Sequence, residues 1–357
     1  MYISFVMSSL WLNGGVRVIV EYANRLTARG HRVTLITPGG TSDPDMLQEV
    51  RTGVSVWESR VARKSQMSIL HMILLTWSLA RVVPPSHVVI STHTSTTVAG
   101  FLAARLLKRC RLVWLYQDNR EMFAGRPYEE WLLRHALRWH DLALVVSDLS
   151  RQELNTDSPG RIVVVGEGLS HAELFHPLPP EARPKLDNRR TILYLGDMRP
   201  RKGWFDFLQA AAQVYEIAKD IKLLIVSKED CQIETDVPYE YIYRPTRVEL
   251  ARLYATCDLF VSASWLESFG LPPLEAMACG APVVLTATRG AYEYARDEDN
   301  CLMVPPHDPM ALAQAMIRVL TDTALAERLR VKGPPVAARF TWDAAVDRFE
   351  SALNSLF

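Results

Sequence analysis

Twice along this chain a short, continuously apolar run leads through a glycine-bearing loop into an amphipathic helix, and then into another apolar run. Strands that are apolar throughout, rather than alternating, are buried on both faces. That is the mark of a parallel sheet with helices on either side. The first run is Tyr2 to Met7. The loop Leu12-Asn13-Gly14-Gly15 follows it, then a helical pattern with Val16, Ile19, Val20, Ala23 and Leu26 on one face, then the run His31 to Thr37. This is the plan of a βαβ unit. Further strands are expected within Ser86–Thr92 and at Arg111–Tyr116, Leu142–Val146 and Arg161–Val165, with helices at Ser65–Val83, Thr97–Lys108 and Glu129–Trp139.

Phe175 to Arg190 breaks this order, being rich in proline and charge and without a clear period. After it the pattern restarts. Strands are expected at Thr191–Leu195, Lys222–Val226, Asp258–Ser262 and Pro282–Thr286. Helices are expected at Asp206–Ala218 and Val248–Thr256, from Leu274, at Pro309–Leu320 and at Ala324–Val331. Thr341 to Phe357 places Trp342, Ala345, Val346, Phe349 and Leu353 on one helical face. With 357 residues, two domains are the natural division. The reading is a first domain over 1–174, a linker over 175–190, a second domain over 191–340, and a terminal helix over 341–357.

Several function classes are disfavoured. The formal net charge is zero, which gives no footprint of a nucleic-acid binder. The five cysteines are far apart and odd in number, and read as reduced core residues in the cytoplasm. No G-x-G-x-x-G follows the first strand, which argues against a nicotinamide dehydrogenase. Ser65–Val83 approaches a membrane span in length, but Gln66, His71, Thr76, Ser78 and Arg81 are costly in hydrocarbon. It reads as a buried or surface helix. The acidic loops Asp43-Pro-Asp45 and Asp297-Glu-Asp299 read as solvated turns.

The strongest chemical signal is Glu267-Ser-Phe-Gly-Leu-Pro-Pro-Leu-Glu275. It follows an expected strand, so Glu267 lies past a carboxyl end, where open parallel sheets bind ligands. Glu275 falls near the start of the next helix. Phe269, Gly270 and Leu271 can offer backbone N–H groups there to a phosphate. Carboxylates suit the vicinal hydroxyls of sugars. Past an earlier strand lies Gly196-Asp197-Met198-Arg199-Pro200-Arg201-Lys202-Gly203, where Arg201 and Lys202 suit a diphosphate.

This constellation resembles the E-x7-E motif of the retaining glycosyltransferase family 4, of the GT-B fold. The resemblance extends to Gly14-Gly15, to Gly166-Glu167-Gly168, to the Arg201-Lys202-Gly203 loop and to the terminal helix. It implies two Rossmann-like α/β domains with parallel sheets facing across a cleft, no essential metal or cofactor, and transfer of a sugar from a nucleotide-sugar donor to a saccharide or lipid-linked acceptor. It also implies a ribose contact for Glu275, a contact to the transferred sugar for Glu267, and stabilisation of the departing diphosphate by Arg201 and Lys202. Gly14 and Gly15 would face the donor phosphates or the acceptor. In the front-face mechanism proposed for such enzymes, a donor phosphate oxygen takes the acceptor proton.

Two departures stand out. Family members usually carry Gly-Arg where this chain has Gly196-Asp197, and Arg199 is the candidate substitute. Many carry histidine at the position of Gln117, which can hydrogen-bond a sugar but cannot act as a base. Asp118 either joins Gln117 in the site or caps the segment after it, and His93 is a further candidate on the acceptor side. Tyr292 and Glu293 are candidates on the nucleotide side. The departures leave open a nucleotide-binding protein with weak or no turnover, or a nucleotide-sugar epimerase of the same fold. Two basic clusters, Arg60, Arg63 and Lys64, and Arg105, Lys108, Arg109 and Arg111, give either a solvated rim or a peripheral contact at the inner face of a membrane.

Overall fold

A computed structural model describes residues 1–155, 161–179 and 188–357. The chain forms two compact units, Met1–Gly168 with Trp342–Phe357, and Leu169–Thr341. The first runs β1 (Tyr2–Val6), α1 (Gly14–Ala28), β2 (Arg32–Gly39), α2 (Pro44–Glu49), β3 (Ser55–Ala62), α3 (Ile69–Val82), β4 (Val88–Ser91), α4 (Thr97–Phe101), β5 (Arg111–Tyr116), α5 (Pro127–Trp139), β6 (Leu142–Val145), α6 (Asp148–Asn155) and β7 (Ile162–Val164). Its strands pair in parallel in the order β3-β2-β1-β4-β5-β6-β7. The second unit runs β8 (Arg190–Leu195), α7 (Trp204–Ile217), β9 (Ile221–Ser227), β10 (Tyr239–Tyr243), α8 (Arg247–Thr256), β11 (Leu259–Ser262), α9 (Leu271–Ala278), β12 (Val283–Thr286), β13 (Leu302–Val304), α10 (Pro309–Thr321) and α11 (Thr323–Ala337). Its parallel order is β10-β9-β8-β11-β12-β13. Each sheet therefore grows outward in both directions from its first strand. The direction reverses between β1 and β4 in one unit and between β8 and β11 in the other.

The expected strands are the central ones and the edge strand β7; the central ones are almost wholly buried, and β7 is half-buried. Strands β3, β10 and β13 were not expected. All three are edge strands, and β3 and β10 are mostly exposed or half-buried. Without two covered faces β3 and β10 have no reason to be continuously apolar, and β13 is an apolar run of only three residues. Helix α11 also runs beyond its expected end at Val331, through Pro334 and Pro335. Leu325, Leu329, Gly333 and Ala337 continue one buried stripe along it, and that packing offsets the two missing N–H donors.

The boundary between units falls earlier than the sequence suggested. Leu169 and Phe175 are buried in the second unit's core with Leu193, Tyr254 and Phe260. Part of the expected linker, residues 180–187, lies outside the described residues. The last helix, α12 (Trp342–Asn354), belongs to the first unit. Its Phe349 ring lies 4.5 Å from that of Tyr22, and Trp342 meets the same ring edge-on at 5.1 Å. Arg348 donates to the Val165 carbonyl at 2.9 Å, and Arg29 pairs with Asp347 and Glu350.

Phe349 is fully buried on α12. Phe349→Ala should therefore cost about 3–5 kcal/mol, the usual range for emptying a core aromatic site. Urea unfolding followed by circular dichroism would show it as a lower midpoint. An unchanged midpoint would mean that α12 does not stabilise the first unit.

Candidate functional site

In the second unit the loops after β8 and β11 are fastened to each other. Gly203 sits at φ +64, and a Cβ there would lie 1.9 Å from the Ala263 carbonyl oxygen, so only glycine fits. Trp265 N donates to the Arg201 carbonyl at 2.8 Å, and the Tyr194 hydroxyl donates to the Lys202 carbonyl at 2.8 Å. The result is that Lys202 Nζ donates to Glu267 Oε1 at 2.7 Å, with both side chains less than one-fifth exposed. Burial pushes the Glu267 carboxyl up. The charges of Lys202 and Arg201, with the Lys202 hydrogen bond, outweigh it and hold the group below the usual carboxylate range. Glu267 is thus an anion over the working pH range.

Glu275 lies one turn into α9 and is 6% exposed. Its carboxylate accepts from Arg247 Nη1 at 3.2 Å and from the Tyr254 hydroxyl at 3.3 Å. Neither partner was identified from the sequence. A signal for the first was available: Thr246-Arg-Val-Glu249 is a capping box, which sets Arg247 as the first residue of α8. Arg247 Nε is buried and has no partner among the described residues.

Gly270 starts α9 at φ +88, and its carbonyl accepts from the Tyr294 hydroxyl at 2.6 Å. Phe269 is buried between Tyr294 and Phe340. Pro272 and Pro273 follow, so the helix start offers fewer N–H groups than an ordinary one. What it does offer comes from Phe269, Gly270 and Leu271, whose amides have no acceptor among the described residues. Tyr292 and Glu293 lie in the turn after β12.

The departure at Gly196-Asp197 has a structural counterpart. Arg199 closes on Asp197, with Nε donating to Oδ1 at 2.7 Å and Nη2 to Oδ2. Asp197 is buried, and burial raises its carboxyl, but Arg199 more than reverses this. The Arg199 guanidinium is committed to a neighbour two residues away. Lys228, just past β9, was missed by the sequence reading. Burial lowers its pKa, and the nearby charge of Arg199 adds to that. Position past a strand end, the rule that found Lys202, would have found Lys228 too.

The first unit gathers its candidates at the matching edge. Asn13 caps α1, its Oδ1 accepting from Val16 N at 3.0 Å, which sets Gly14 and Gly15 in the first turn. A Cβ on Gly15 would lie 3.7 Å from Gln117 Oε1, an oxygen that is buried and has no partner among the described residues. Asp118 is buried and accepts from Thr94 N at 2.8 Å and Thr94 Oγ1 at 2.7 Å, and pairs with His93 Nε2 at 2.9 Å. It therefore caps the turn after β4, while Asn119 caps the segment that follows. Among the described residues no group of three His, Cys, Asp or Glu gathers as a metal site.

Both halves of the chain match models of sugar-transferring enzymes. Residues 12–173 match Glycosyltransferase Family 4, and residues 189–322 match Glycosyl transferases group 1. The chain is a GT4-type glycosyltransferase. It is 29% identical over 235 residues to the O-antigen chain mannosyltransferase B of Escherichia coli, covering 60% of this chain and 61% of that one, under two thirds of its length. It is 25% identical over 350 residues to the phosphatidyl-myo-inositol mannosyltransferase of Mycobacterium leprae, covering 94% and 91%. The structure of HepE from Anabaena, solved with UDP and glucose, superposes with a TM-score of 0.81 at 19% identity, covering 99% and 100%. Such neighbours establish the two-domain, Rossmann-like GT-B fold.

Within this glycosyltransferase, His93 and Asp118 form a titrating pair. Burial opposes the charged imidazole, yet Asp118 raises its pKa above the ordinary value. A raised folded-state pKa stabilises the protein fully below the unfolded value of about 6.5. That stability is lost as pH rises through the folded midpoint. In Asp118→Asn the opposing burial should prevail, and the His93 midpoint should fall to or below about 6.5. An NMR titration of the imidazole checks this, and an unchanged midpoint would remove Asp118 as the cause.

Proposed function

We propose that this glycosyltransferase binds a nucleotide-sugar at the β8/β11 switch point and transfers its sugar, with retention of configuration, to a saccharide or lipid-linked acceptor. The observation that carries this reading is the part-buried Lys202–Glu267 pair, with Arg201 beside it and Glu275 on the adjoining helix. A departing nucleoside diphosphate gains negative charge, and Arg201 and Lys202 would stabilise it from fixed positions. Glu267, held ionised, would orient the sugar as its anomeric carbon becomes positive. In this reading the protein's own cations supply the charge, with no metal ion required. Glu275 would grip the ribose. Its two oxygens carry about four acceptor positions, so its bonds to Arg247 and Tyr254 leave room for ribose hydroxyls.

The first unit's switch point would hold the acceptor. Gln117 Oε1, buried and unpartnered, suits a sugar hydroxyl, and His93, in the turn after β4, offers a second polar group at the same sheet edge. The names of the Escherichia coli and Mycobacterium leprae relatives, and the UDP and glucose bound to HepE, support the substrate classes. The cysteines are unpaired, which fits a reducing cytoplasmic compartment. A lipid-linked acceptor would be met at the membrane face.

Calorimetry with nucleoside diphosphates and nucleotide-sugars tests the donor site. The sharper variant is Glu275→Gln, since alanine would leave the Arg247 charge buried and unpaired. One nucleotide class should bind, at least tenfold more weakly to the variant. No binding by correctly folded protein would overturn the donor-site reading. Lys202→Met should lower kcat by about 10²–10³-fold, the usual cost of losing one group that stabilises transition-state charge. Proton NMR of the product should show the donor's anomeric configuration.

A further inference from the structure

The chain balances 40 basic against 40 acidic residues, but not evenly along its length. Between Glu58 and Asp118 there is no acidic residue, and there are eight Lys or Arg: Arg60, Arg63, Lys64, Arg81, Arg105, Lys108, Arg109 and Arg111. This basic stretch contains α3, whose outward face is apolar. Ile69 is 75% exposed, Leu70 66%, Ile73 59%, Leu74 50% and Trp77 42%. With Arg81 they fill one arc of the helix about 140° wide, at 100° per residue. The segment after α4 packs on α3 and adds Leu106, 61% exposed, to the same region. Leu75, Leu79 and Ala80 hold the opposite side of α3 to the core. Serine 68 caps the helix, its Oγ accepting from His71 N at 3.2 Å, so the apolar arc belongs to an ordered helix.

Large apolar side chains side by side in water mark a surface that is covered in use. Their partner is narrowed by charge. Arg105 is matched by Asp141 at 2.9 Å, but the exposed Arg60, Lys64, Arg81 and Arg109 have no acidic partner among the described residues. A second copy docking through this face by a twofold axis would bring these cations against each other. An anionic lipid surface satisfies both features at once, taking the apolar arc among its acyl chains and the cations among its headgroups. The arc covers about 18 Å along the helix, too little to cross a bilayer, and no helix among the described residues is long and apolar enough to do so.

We propose that the outer face of α3, with Leu106 beside it and Arg60, Lys64, Arg81 and Arg109 around it, docks this protein on an anionic membrane. This deepens the lipid-linked form of the acceptor reading, and places the protein where such an acceptor is held.

The test uses the full chain and vesicles containing neither donor nor acceptor, so it stands apart from any failure of transfer. The protein should sediment with vesicles of phosphatidylcholine mixed with phosphatidylglycerol. It should sediment far less with phosphatidylcholine alone, and binding should weaken steeply with salt. The double variant Ile73→Glu with Leu74→Glu should bind at least tenfold more weakly. Lys64→Gln and Arg81→Gln should each weaken binding roughly fivefold. All these positions are on the surface, so thermal unfolding should be unchanged. Wild type that stays in solution with anionic vesicles, or variants that bind as it does, would overturn the proposal. So would a dimer, seen by ultracentrifugation, that the double variant breaks while no vesicle binding is found.

Discussion

A parallel strand can be followed by another only if the chain first returns to the edge where it began, and in most steps here a covering helix makes that return, while β9 to β10 and β12 to β13 return through loops. Every strand in both sheets is bound by this rule, and much else in the molecule follows from it. All carboxyl ends in a sheet point to one edge, so all the loops that follow strands are gathered there. Where strand order reverses, the loops after the two neighbouring strands lead to helices on opposite faces of the sheet, and open parallel sheets bind their ligands there. The loops carrying Gly14-Gly15 and His93 flank the gap between β1 and β4. Those carrying Lys202 and Glu267 flank the gap between β8 and β11. Residues 65 positions apart in the chain meet at 2.7 Å because β8 and β11 are adjacent in the sheet.

Charge at the second gap is held in balance. Arg199 is matched by Asp197 and Lys202 by Glu267. Buried pairs of this kind add little net stability, since desolvation of both ions offsets their attraction. Their value lies in position. Lys202 is largely withdrawn from water and Arg199 is held against Asp197 at the rim, and each carboxylate is kept ionised despite burial. The lowered pKa of Lys228 comes first from burial, with the nearby charge of Arg199 adding to it.

How much of this was legible in the sequence depended on whether burial left a pattern. The central strands, covered on both faces, read as unbroken apolar runs. The edge strands β3 and β10 face water on one side and carry residues such as Glu58, Arg60 and Glu240, so they show no strand pattern. The paired glutamates and the Arg201-Lys202 loop were visible because strand ends and residue type coincide there. Arg247 and Tyr254 were not, because their relevance to Glu275 arises only when α8 and α9 pack side by side. The unit boundary was misplaced for a similar reason. Phe175 stands at the head of a proline-rich segment, and its role as core is set by the Tyr254 ring 6.0 Å away, not by its neighbours in sequence.

The two units share a topology but not a chemistry, and the difference is written in a handful of side chains. At the β8/β11 gap the groups are ions, fixed in pairs, as the proposed recognition of a charged leaving group would use. At the β1/β4 gap they are hydrogen-bonding groups with capacity unspent. Gln117 Oε1 and His93 Nδ1 are both buried and without partners among the described residues. An unpaired buried polar group costs about 1–3 kcal/mol, so a fold that keeps two of them adjacent to a functional edge forgoes stability there. Asp118 accounts for part of that arrangement. By accepting from Thr94 and pairing with His93, it fixes the turn after β4. Gln117, its neighbour in sequence, is thereby left beside the first turn of α1, where Gly15 has no side chain to cover it.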